Sequence, residues 1–587
     1  MTKGGSWLLA ETDPSDVLTP ETISDEHRLI ARTTDEFVEK EVIPCIGRLE
    51  NKDWAFARTL IRRCGELGLL GINVPEKYGG VDLDKISSFI VAEHISRPAS
   101  FGATFGGQAN LCILPIVLFG TERQKERYLP RLVSGEFVGA YALSESESGS
   151  DALSAKARAA KQSDGSWLLN GEKMWITNGG FADVIIVFAQ ANGDQFTAFI
   201  VERSFPGVSS GNEEHKMGLH GSSTTSLVLQ DARVPVDNVL GEIGKGHKVA
   251  LNTLNFGRFK LGAMCSGGCR SAVGEAARYA AARRQFGQRI ANFGAIKHKL
   301  GEMTARTYAL ESLLYRTAGL IEARLGADSG LPRGDAVARA FEEFAVEASI
   351  AKVAGSEMLD FVLDENVQIH GGNGYVQDYP AERHYRDARV NRIFEGTNEI
   401  NRMLISGMLI RRALKGELDL IAAARRLQDD LLSGTIGAGV ADDVEGLGDE
   451  TRLVAACKRV ALMVLGTAMQ TYGQKLSDEQ EILSYAADVL IDIYAAESAV
   501  LRARSAAAAR DPRAALHEAS ARTFVNDAAQ RVESAARQAL AAMAEGDNLR
   551  TLLTALRRLL KIAPINTVVL RRMLADAVVA DGRYILN

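Results

Sequence analysis

Residues 368–402, QIHGGNGYVQDYPAERHYRDARVNRIFEGTNEINR, carry the densest pattern in the chain and organise the interpretation of the rest. A glycine pair precedes an ERxxRDAR run, and a single carboxylate, Glu395, then stands between a phenylalanine and a Gly-Thr turn. Apolar residues recur at helical spacing from Ile400 onwards, which predicts that the turn opens a helix. Gly396 frees the backbone for close approach to a ligand, and Thr397 can cap the helix.

Glu395 has two interpretations on the residues alone. A lone loop glutamate is usually solvated at the surface. A glutamate packed by Ile393 and Phe394 would instead be partly desolvated, which raises its pKa toward the working range of a general base. Spacing leaves both interpretations open.

Length and composition narrow the class of protein. The chain has 587 residues, which predicts several packed units, and its 46% hydrophobic and 24% charged content is typical of a globular protein. A net charge of −6 and a pI of about 6.0 argue against nucleic acid as the main partner. Cys265 and Cys269 lie one helical turn apart with no histidine nearby, which favours small core residues over a metal site. We predict no metal.

The N-terminus lacks the apolar core of a signal peptide and the arginines of a transit peptide. We expect no stretch to approach the length of a membrane span without charges. Reduced thiols, together with the lack of a signal peptide, transit peptide or membrane span, predict a cytoplasmic protein.

Hydrophobic periodicity divides the chain into helical and β blocks. Between 326 and 335 a polar break separates two long helices, and a Gly/Asp-rich linker is predicted at 433–449. The predicted helices are 24–44, with a cap near Ser24, and 54–69, 85–96, 110–119, 122–133, 258–283, 295–324 and 336–364. The predicted strands are 137–146, 154–161, 165–179, 182–190, 197–203 and 226–236. The predicted blocks are a loosely structured lead-in at 1–23, a helical domain at 24–136, a β domain at 137–245, a helical bundle at 246–413 and a helical extension at 414–587.

The segment 551–574 in this extension is apolar with interspersed arginines, among them Arg571 and Arg572. One interpretation is a packed helix pair with a basic outer face. The alternative is peripheral contact with the inner face of a membrane, which basic amphipathic helices favour.

Residues 382–402 resemble the C-terminal signature of the acyl-CoA dehydrogenase family, and FEGTNEINR is most similar to its very-long-chain branch. The resemblance implies a helical domain, a β-barrel domain and a four-helix bundle, with FAD as cofactor and Glu395 as the catalytic base. A comparable C-terminal extension occurs in the very-long-chain enzymes and in a related assembly-factor branch.

The segment 141–151, YALSESESGSD, resembles the family's first flavin-contacting segment, usually written with Thr-Glu-Pro. Ser144 stands for the threonine and keeps its hydroxyl, whereas Ser146 replaces the proline. The resemblance implies FAD contacts from Tyr141, Leu143, Ser144, Gly149 and Ser150, and a substrate contact from Ser150.

The segment 173–179, KMWITNG, resembles the second flavin segment. Strand alternation places Trp175 and Thr177 on one face. By resemblance, Trp175 packs beside the isoalloxazine ring and Thr177 bonds its N5 edge.

Further site residues follow from the resemblance. Arg283 and Phe286 match a segment that holds the FAD pyrophosphate of a neighbouring subunit. This match implies a homo-oligomer, with a dimer favoured. Downstream, Phe293 and Gly294 depart from the His-Gln pair that some family members have. The remaining matches are Gln368, Gly371 and Gly372 at the other inter-subunit FAD segment, Thr397 and Glu399 at the adenosine, and Arg258 and Gly396 on the substrate side.

The implied reaction is α,β-dehydrogenation of a saturated acyl-CoA, with electrons passed to an electron-transfer flavoprotein. Some branches carry the base at the position of Gly257, which cannot accept a proton, so Glu395 is the predicted base. The glycine at 257 and the extension favour long acyl chains in fatty acid β-oxidation. The alternatives are an acyl-CoA oxidase, which would use oxygen, and a scaffold for complex assembly.

Overall fold

The computed structural model describes residues 2–433, 447–561 and 563–586. The first block is helical, and four of its helices begin at capping side chains, Ser24, Asp53, Asp84 and Thr121. Ser24 Oγ accepts the N–H of His27 at 3.2 Å, as predicted. A helix that the sequence analysis missed runs over Ala99–Gly106. The helices of this block are α1 Asp25–Phe37, α2 Ile46–Glu50, α3 Trp54–Glu66, α4 Lys85–Ile95, α5 Ala99–Gly106, α6 Leu114–Phe119 and α7 Glu122–Val133.

The second block is a twisted sheet. Its strands are β1 Gly139–Ala142, β2 Arg158–Lys161, β3 Trp167–Thr177, β4 Val184–Ala191, β5 Gln195–Glu202, β6 Val208–Glu213, β7 Thr224–Val234 and β8 Val239–Leu240. The order is β6-β7-β3-β2-β4-β5-β8, and β1 pairs in parallel with β4. Strand β4 is almost entirely buried, as its continuous apolar sequence predicts. The short strands β6 and β8 were missed because they have little apolar alternation.

Long helices form the third block, separated by one short hairpin. The elements are α8 Gly246–Ala282, β9 Arg284–Gln285, β10 Gln288–Arg289, α9 Gly294–Ala327, α10 Arg333–Glu343, α11 Ala345–His370, α12 Ala381–Ala388 and α13 Asn398–Leu414. Helix α8 begins twelve residues before the predicted Arg258. The helix predicted at 336–364 is two helices that meet at Phe344.

Helices α8 and α11 approach closely at two glycines. A Cβ added at Gly355 would lie 3.1 Å from the Cα of Gly262, so larger side chains would push the helices apart. This contact fixes the two helices that flank the loop after α12.

The extension is helical, as predicted, and the fold class is confirmed. Its helices are α14 Leu420–Ser433, α15 Gly448–Tyr472, α16 Gln480–Ala508, α17 Ala514–Met543, α18 Gly546–Leu559 and α19 Thr567–Asp581. Most of the predicted linker, 434–446, lies outside the described residues. Arg571, assigned in one interpretation to a basic outer face, is instead buried, and its Nε donates to Glu302 at 2.9 Å.

The expectation of a loosely structured lead-in is wrong. Trp7 and Leu8 are buried in the bundle core, and the Trp7 indole N–H donates to Glu347 at 3.1 Å. Burial of these apolar side chains outweighs the entropy cost of ordering the segment.

The expectation that no charge-free stretch approaches the length of a membrane span is also wrong. By length and composition, Ala99–Phe119 and Gly448–Asp478 pass a test for membrane spans among the described residues, and the first has no charged residue. In their most apolar windows, 72% and 56% of the residues are buried inside the protein. This is weak evidence for a span, because buried core helices pass the same test.

A buried arginine joins the lead-in, the bundle and the extension. Arg502 of α16 donates to Glu311 of α9 at 2.6 Å and to Glu21 at 2.5 Å, and it bonds the carbonyl of Leu586. Both Arg502 and Glu311 are fully buried. Burial raises the pKa of Glu311 to about 7, against the opposing effect of Arg502.

We expect Arg502→Met to lower the free energy of unfolding by about 3–5 kcal/mol, because two carboxylates lose their buried cation. Urea unfolding measures the change. Arg550→Met is the matched control, because Arg550 pairs with Asp547 where both side chains are largely exposed (83% and 94%), and such pairs contribute little. Equal effects of the two substitutions would contradict the prediction.

Candidate active site

The loop between α12 and α13 presents Glu395 in a conformation that its own backbone fixes. Glu395 has φ 59° and Gly396 has φ 79°, so two successive residues are left-handed. This conformation is costly for glutamate and is found mainly where function requires it. Arg258 Nε donates to the Glu395 carbonyl at 3.3 Å, and Asn401 Nδ2 donates to the Gly396 carbonyl at 2.8 Å. Thr397 caps α13 by accepting the Ile400 N–H, as predicted.

The Glu395 carboxylate lies directly over Gly257 of α8. A Cβ added at Gly257 would lie 2.6 Å from Glu395 Oε2, so a larger residue there would displace the carboxylate. Oε2 is buried and has no hydrogen-bond partner among the described residues. Among the described residues, no protein group accepts a hydrogen bond from the Glu395 N–H. The site therefore holds a buried acceptor and a donor that are both available to a ligand.

Burial raises the pKa of Glu395 to about 7, while the charges of Arg258 and Lys352 act in the opposite direction. Lys352 of α11 is fully buried, and its Nζ donates to Asn398 Oδ1 at 2.6 Å. Burial also lowers the pKa of Lys352 to about 8. Glu395 thus titrates near neutral pH, where a general base works best.

A cavity opens beside Phe394, the residue before Glu395. Helix α8 contributes Met264, Gly268 and Ser271, which share one helical face with Gly257 because they follow it at 7, 11 and 14 residues. The other lining residues come from all three preceding blocks: Ser96, Arg97, Ala99, Ala103, Leu219, Leu359, Leu363, His384, Asp387, Ala388 and Asn391. The lining is mostly apolar, which suits an aliphatic ligand.

The two predicted flavin segments are bonded to each other. The carbonyl of Ser144 accepts the Met174 N–H at 2.9 Å. Lys173 Nζ donates to the buried Glu145 at 2.6 Å and to the carbonyl of Leu143 at 3.2 Å. Gly149 and Ser150 are exposed at the end of the first segment.

Tyr141 of β1 faces the same site. Its hydroxyl is buried without a partner among the described residues. Burial first, and then the negative charge of Glu395, raise the Tyr141 pKa well above its ordinary value. This strand and the Glu395 loop therefore converge.

Trp175 does not follow the strand alternation on which its prediction depended. The pairing of β3 with β7 shifts register between Lys173 and Ile176, and Trp175 has φ 59°. Its side chain is 56% exposed, so it is not a core tryptophan. Thr177 ends the strand with its side chain partly exposed. An exposed indole of this kind can stack on a planar aromatic cofactor.

The remaining predicted cofactor residues lie elsewhere on the surface. Arg283 is exposed after α8, and Phe286, 91% exposed, forms the tip of the β9–β10 hairpin. Gln368, Gly371 and Gly372 are exposed around the end of α11. In the described part of the chain, no hydrogen bond or ion pair joins these five residues to the Glu395 loop. Glu399 is exposed on the first turn of α13.

Family models describe most of this chain. Acyl-CoA dehydrogenase N-terminal, middle and C-terminal domains match residues 24–136, 140–232 and 244–410, and a further acyl-CoA dehydrogenase C-terminal domain matches 456–558. A probable acyl-CoA dehydrogenase of Bacillus subtilis is 46% identical over 99% of this chain and 98% of that protein. The chain belongs to the acyl-CoA dehydrogenase family.

A crystal structure of an acyl-CoA dehydrogenase complexed with FAD from Bacillus anthracis is similar over the full length of both chains, with a TM-score of 0.97 and 47% identity. The human short-chain specific enzyme is 37% identical over 69% of this chain and 94% of its own length. A very long-chain specific enzyme of Macaca fascicularis is 40% identical over 59% of this chain and 52% of its own length. Relatives named for short and for very long chains thus match at similar identity.

Sequence reasoning missed two buried lysines of this acyl-CoA dehydrogenase site. Lys173 joins the flavin segments, and Lys352 is the cation beside Glu395. The available signal for Lys352 was a single lysine inside the apolar run SIAKVAGS. Such a lysine needs a buried partner, and that partner, Asn398, is 46 residues away.

Replacing Lys352 by Met should raise the pKa of Glu395 further above 7, because a cation that stabilises the carboxylate is lost. The acid limb of the pH profile for flavin reduction should therefore move to higher pH. Anaerobic stopped-flow measurement across neutral pH tests this shift. Lys299→Met is the control, because Lys299 bonds Glu365, away from the loop. An unmoved acid limb in Lys352→Met would contradict the prediction.

Proposed function

We propose that this enzyme catalyses FAD-dependent α,β-dehydrogenation of saturated long-chain acyl-CoA to trans-2-enoyl-CoA. The observation that carries the proposal is the buried, unpartnered oxygen Oε2 of Glu395 over Gly257. In this role Glu395 takes the α-proton of the substrate at Oε2. A pKa of about 7 makes the carboxylate a stronger base than an exposed glutamate while leaving it substantially ionised at neutral pH.

Acidity of the α-proton depends on stabilising the negative charge that develops on the thioester oxygen. The free N–H of Glu395 is the proposed donor from this chain, and removal of one such donor costs roughly 3–4 kcal/mol in comparable sites. The left-handed backbone at Glu395 and Gly396 is held by Arg258 and Asn401, so the donor is oriented before substrate arrives. Arg258, Gly396 and Ser150 are the proposed substrate-side contacts.

The cofactor site is assigned on the same basis. The proposed FAD contacts within one subunit come from the two flavin segments: Tyr141, Leu143, Ser144, Gly149, Ser150, Trp175 and Thr177. When bound, FAD supplies the oxidant that accepts the β-hydrogen and two electrons. The exposed Trp175 ring would cover one face of the cofactor and exclude water.

The proposed contacts to the FAD of a second subunit come from five exposed residues: Arg283, Phe286, Gln368, Gly371 and Gly372. The proposed contacts to the adenosine part of FAD come from Thr397 and Glu399. Their separation from the Glu395 loop and their exposure support a homo-oligomer, with a dimer as the smallest unit. Proposed partners are therefore a second copy and an electron-transfer flavoprotein as electron acceptor in β-oxidation.

Long-chain specificity is supported by the face of α8. From Gly257 to Ser271 the helix rises about 21 Å at 1.5 Å per residue. An extended chain of roughly 18 carbons has that length, since about 17 C–C bonds of ~1.5 Å advance about 1.25 Å each. Gly268 places no side chain on this face, and an added Cβ would lie 2.9 Å from Leu359 Cδ1.

The proposed location is the cytoplasm, where reduced cysteines are the rule. The six cysteines are free. Peripheral contact with a membrane is the alternative, supported by Val568 and Val569 of α19, which are 50% and 58% exposed.

Anaerobic titration with acyl-CoAs of increasing length should bleach the oxidised flavin band most completely with long chains, which the length of the α8 face favours. Visible absorbance follows the change. Strongest bleaching by short chains would contradict the long-chain assignment, and rapid reoxidation by air with release of hydrogen peroxide would favour an oxidase. A protein that binds no FAD would favour a scaffold.

Glu395→Gln should bind FAD normally and show no turnover, because the amide cannot accept the α-proton. Flavin content and reduction by a long-chain acyl-CoA measure the two properties. Undiminished flavin reduction in this variant would refute Glu395 as the base. Asp378→Asn, at an exposed position between α11 and α12, controls for the loss of one carboxylate.

A further inference from the structure

None of the substrate or FAD contacts proposed above comes from the extension. A solved butyryl-CoA dehydrogenase covers 66% of this chain with 99% of its own length, so about a third of this chain has no counterpart in that family member. Helix α13, which carries the Glu395 loop at its N-terminus, packs between α11 of the bundle and α16 of the extension. The polar contacts on its first two turns connect these neighbours.

Arg402 is the centre of these contacts. Its Nη1 and Nη2 donate to the two oxygens of Glu357 at 2.8 and 2.9 Å, in the bidentate geometry that fixes a guanidinium plane. Its Nε donates to Asp488 Oδ1 of α16 at 2.7 Å. The Arg402 side chain is 17% exposed, so both carboxylates hold it in a largely desolvated position.

The contacts continue from Glu357 to the loop. Glu357 Oε1 also accepts from Asn398 Nδ2 at 2.9 Å, and Asn398 Oδ1 accepts from Lys352 Nζ at 2.6 Å. Asn398 is the first residue of α13 and lies three residues after Glu395. An unbroken series of polar contacts therefore links Asp488 in the extension to the cation that lowers the pKa of Glu395.

We propose that the extension positions the Glu395 loop, and that Asp488 is the positioning residue through which it acts. The inference rests on the proposed role of Glu395 as base. Without the Asp488 carboxylate, Arg402 keeps only the contact to Glu357, and the first turn of α13 loses its anchor on the side of α16. Proton transfer depends steeply on alignment, and a misplacement of about 1 Å can cost roughly 100-fold in rate.

A matched control lies one turn further along α16. Asp492 accepts from Arg531 of α17 at 2.7 Å, entirely within the extension. Its side chain is 14% exposed, against 40% for Asp488. Asp492→Asn therefore removes the same group from the same helix at a more buried position, without contacting α13. If stability alone mattered, Asp492→Asn would have the larger effect.

The experiment compares full-length, FAD-loaded wild type, Asp488→Asn, Asp488→Glu and Asp492→Asn with a long-chain acyl-CoA. Stopped-flow reduction across neutral pH separates the limiting rate from substrate affinity. We expect Asp488→Asn to lower the limiting rate about tenfold with unchanged affinity. The acid limb of the pH profile should move to higher pH, because Lys352, which lowers the pKa of Glu395, is held less closely to the loop. Asp488→Glu should recover most of the rate, and Asp492→Asn should match wild type.

Hydrogen exchange provides a readout that does not depend on turnover. Peptides covering 395–404 should exchange faster in Asp488→Asn than in wild type and Asp492→Asn. Equal exchange and equal rates in the two Asn variants would overturn the proposal. A wild type that no acyl-CoA reduces would instead refute the proposed function, and exchange would then decide the positioning role alone.

Discussion

The site depends on keeping one carboxylate out of water without pairing it. Glu395 lies over Gly257 with a buried oxygen that has no hydrogen-bond partner among the described residues, and burial alone would favour the neutral acid. Two cations are near, yet each bonds another group: Arg258 the backbone carbonyl and Lys352 the side chain of Asn398. Their charges moderate the pKa. A direct ion pair would depress it and make the base too weak.

This arrangement requires precise placement of helices from distant parts of the chain. Close approach of α8 and α11 at Gly262 and Gly355 sets the distance between Gly257 and Lys352. Helix α13 brings the loop between them. Buried ion pairs such as Arg502 with Glu311 then fix the extension against this core. Such pairs are a poor source of stability, but they are strongly destabilising when broken, so they define how the parts dock.

Secondary structure and fold class were largely predictable because hydrophobic periodicity and capping residues act locally. Ser24 and the apolar strand β4 are examples. The failures had nonlocal causes. Trp7 is ordered by a core 340 residues away, and Phe344 interrupts a helix whose period continues across it. At Trp175, an irregularity in the strand pairing broke the alternation that had placed this residue on one face with Thr177.

The sequence by itself determined the family and the order of helical and β blocks. It also determined that the candidate base is at position 395 and not at position 257, which is a glycine. These properties depend on residue identity and local spacing. Only the tertiary structure decided that Glu395 is desolvated and that Lys352 acts to lower its pKa. The tertiary structure also decided that Arg402 connects the loop to Asp488. Burial, pKa and ion pairing depend on which helices meet in space. No local pattern encodes a contact between residues 46 or 86 positions apart.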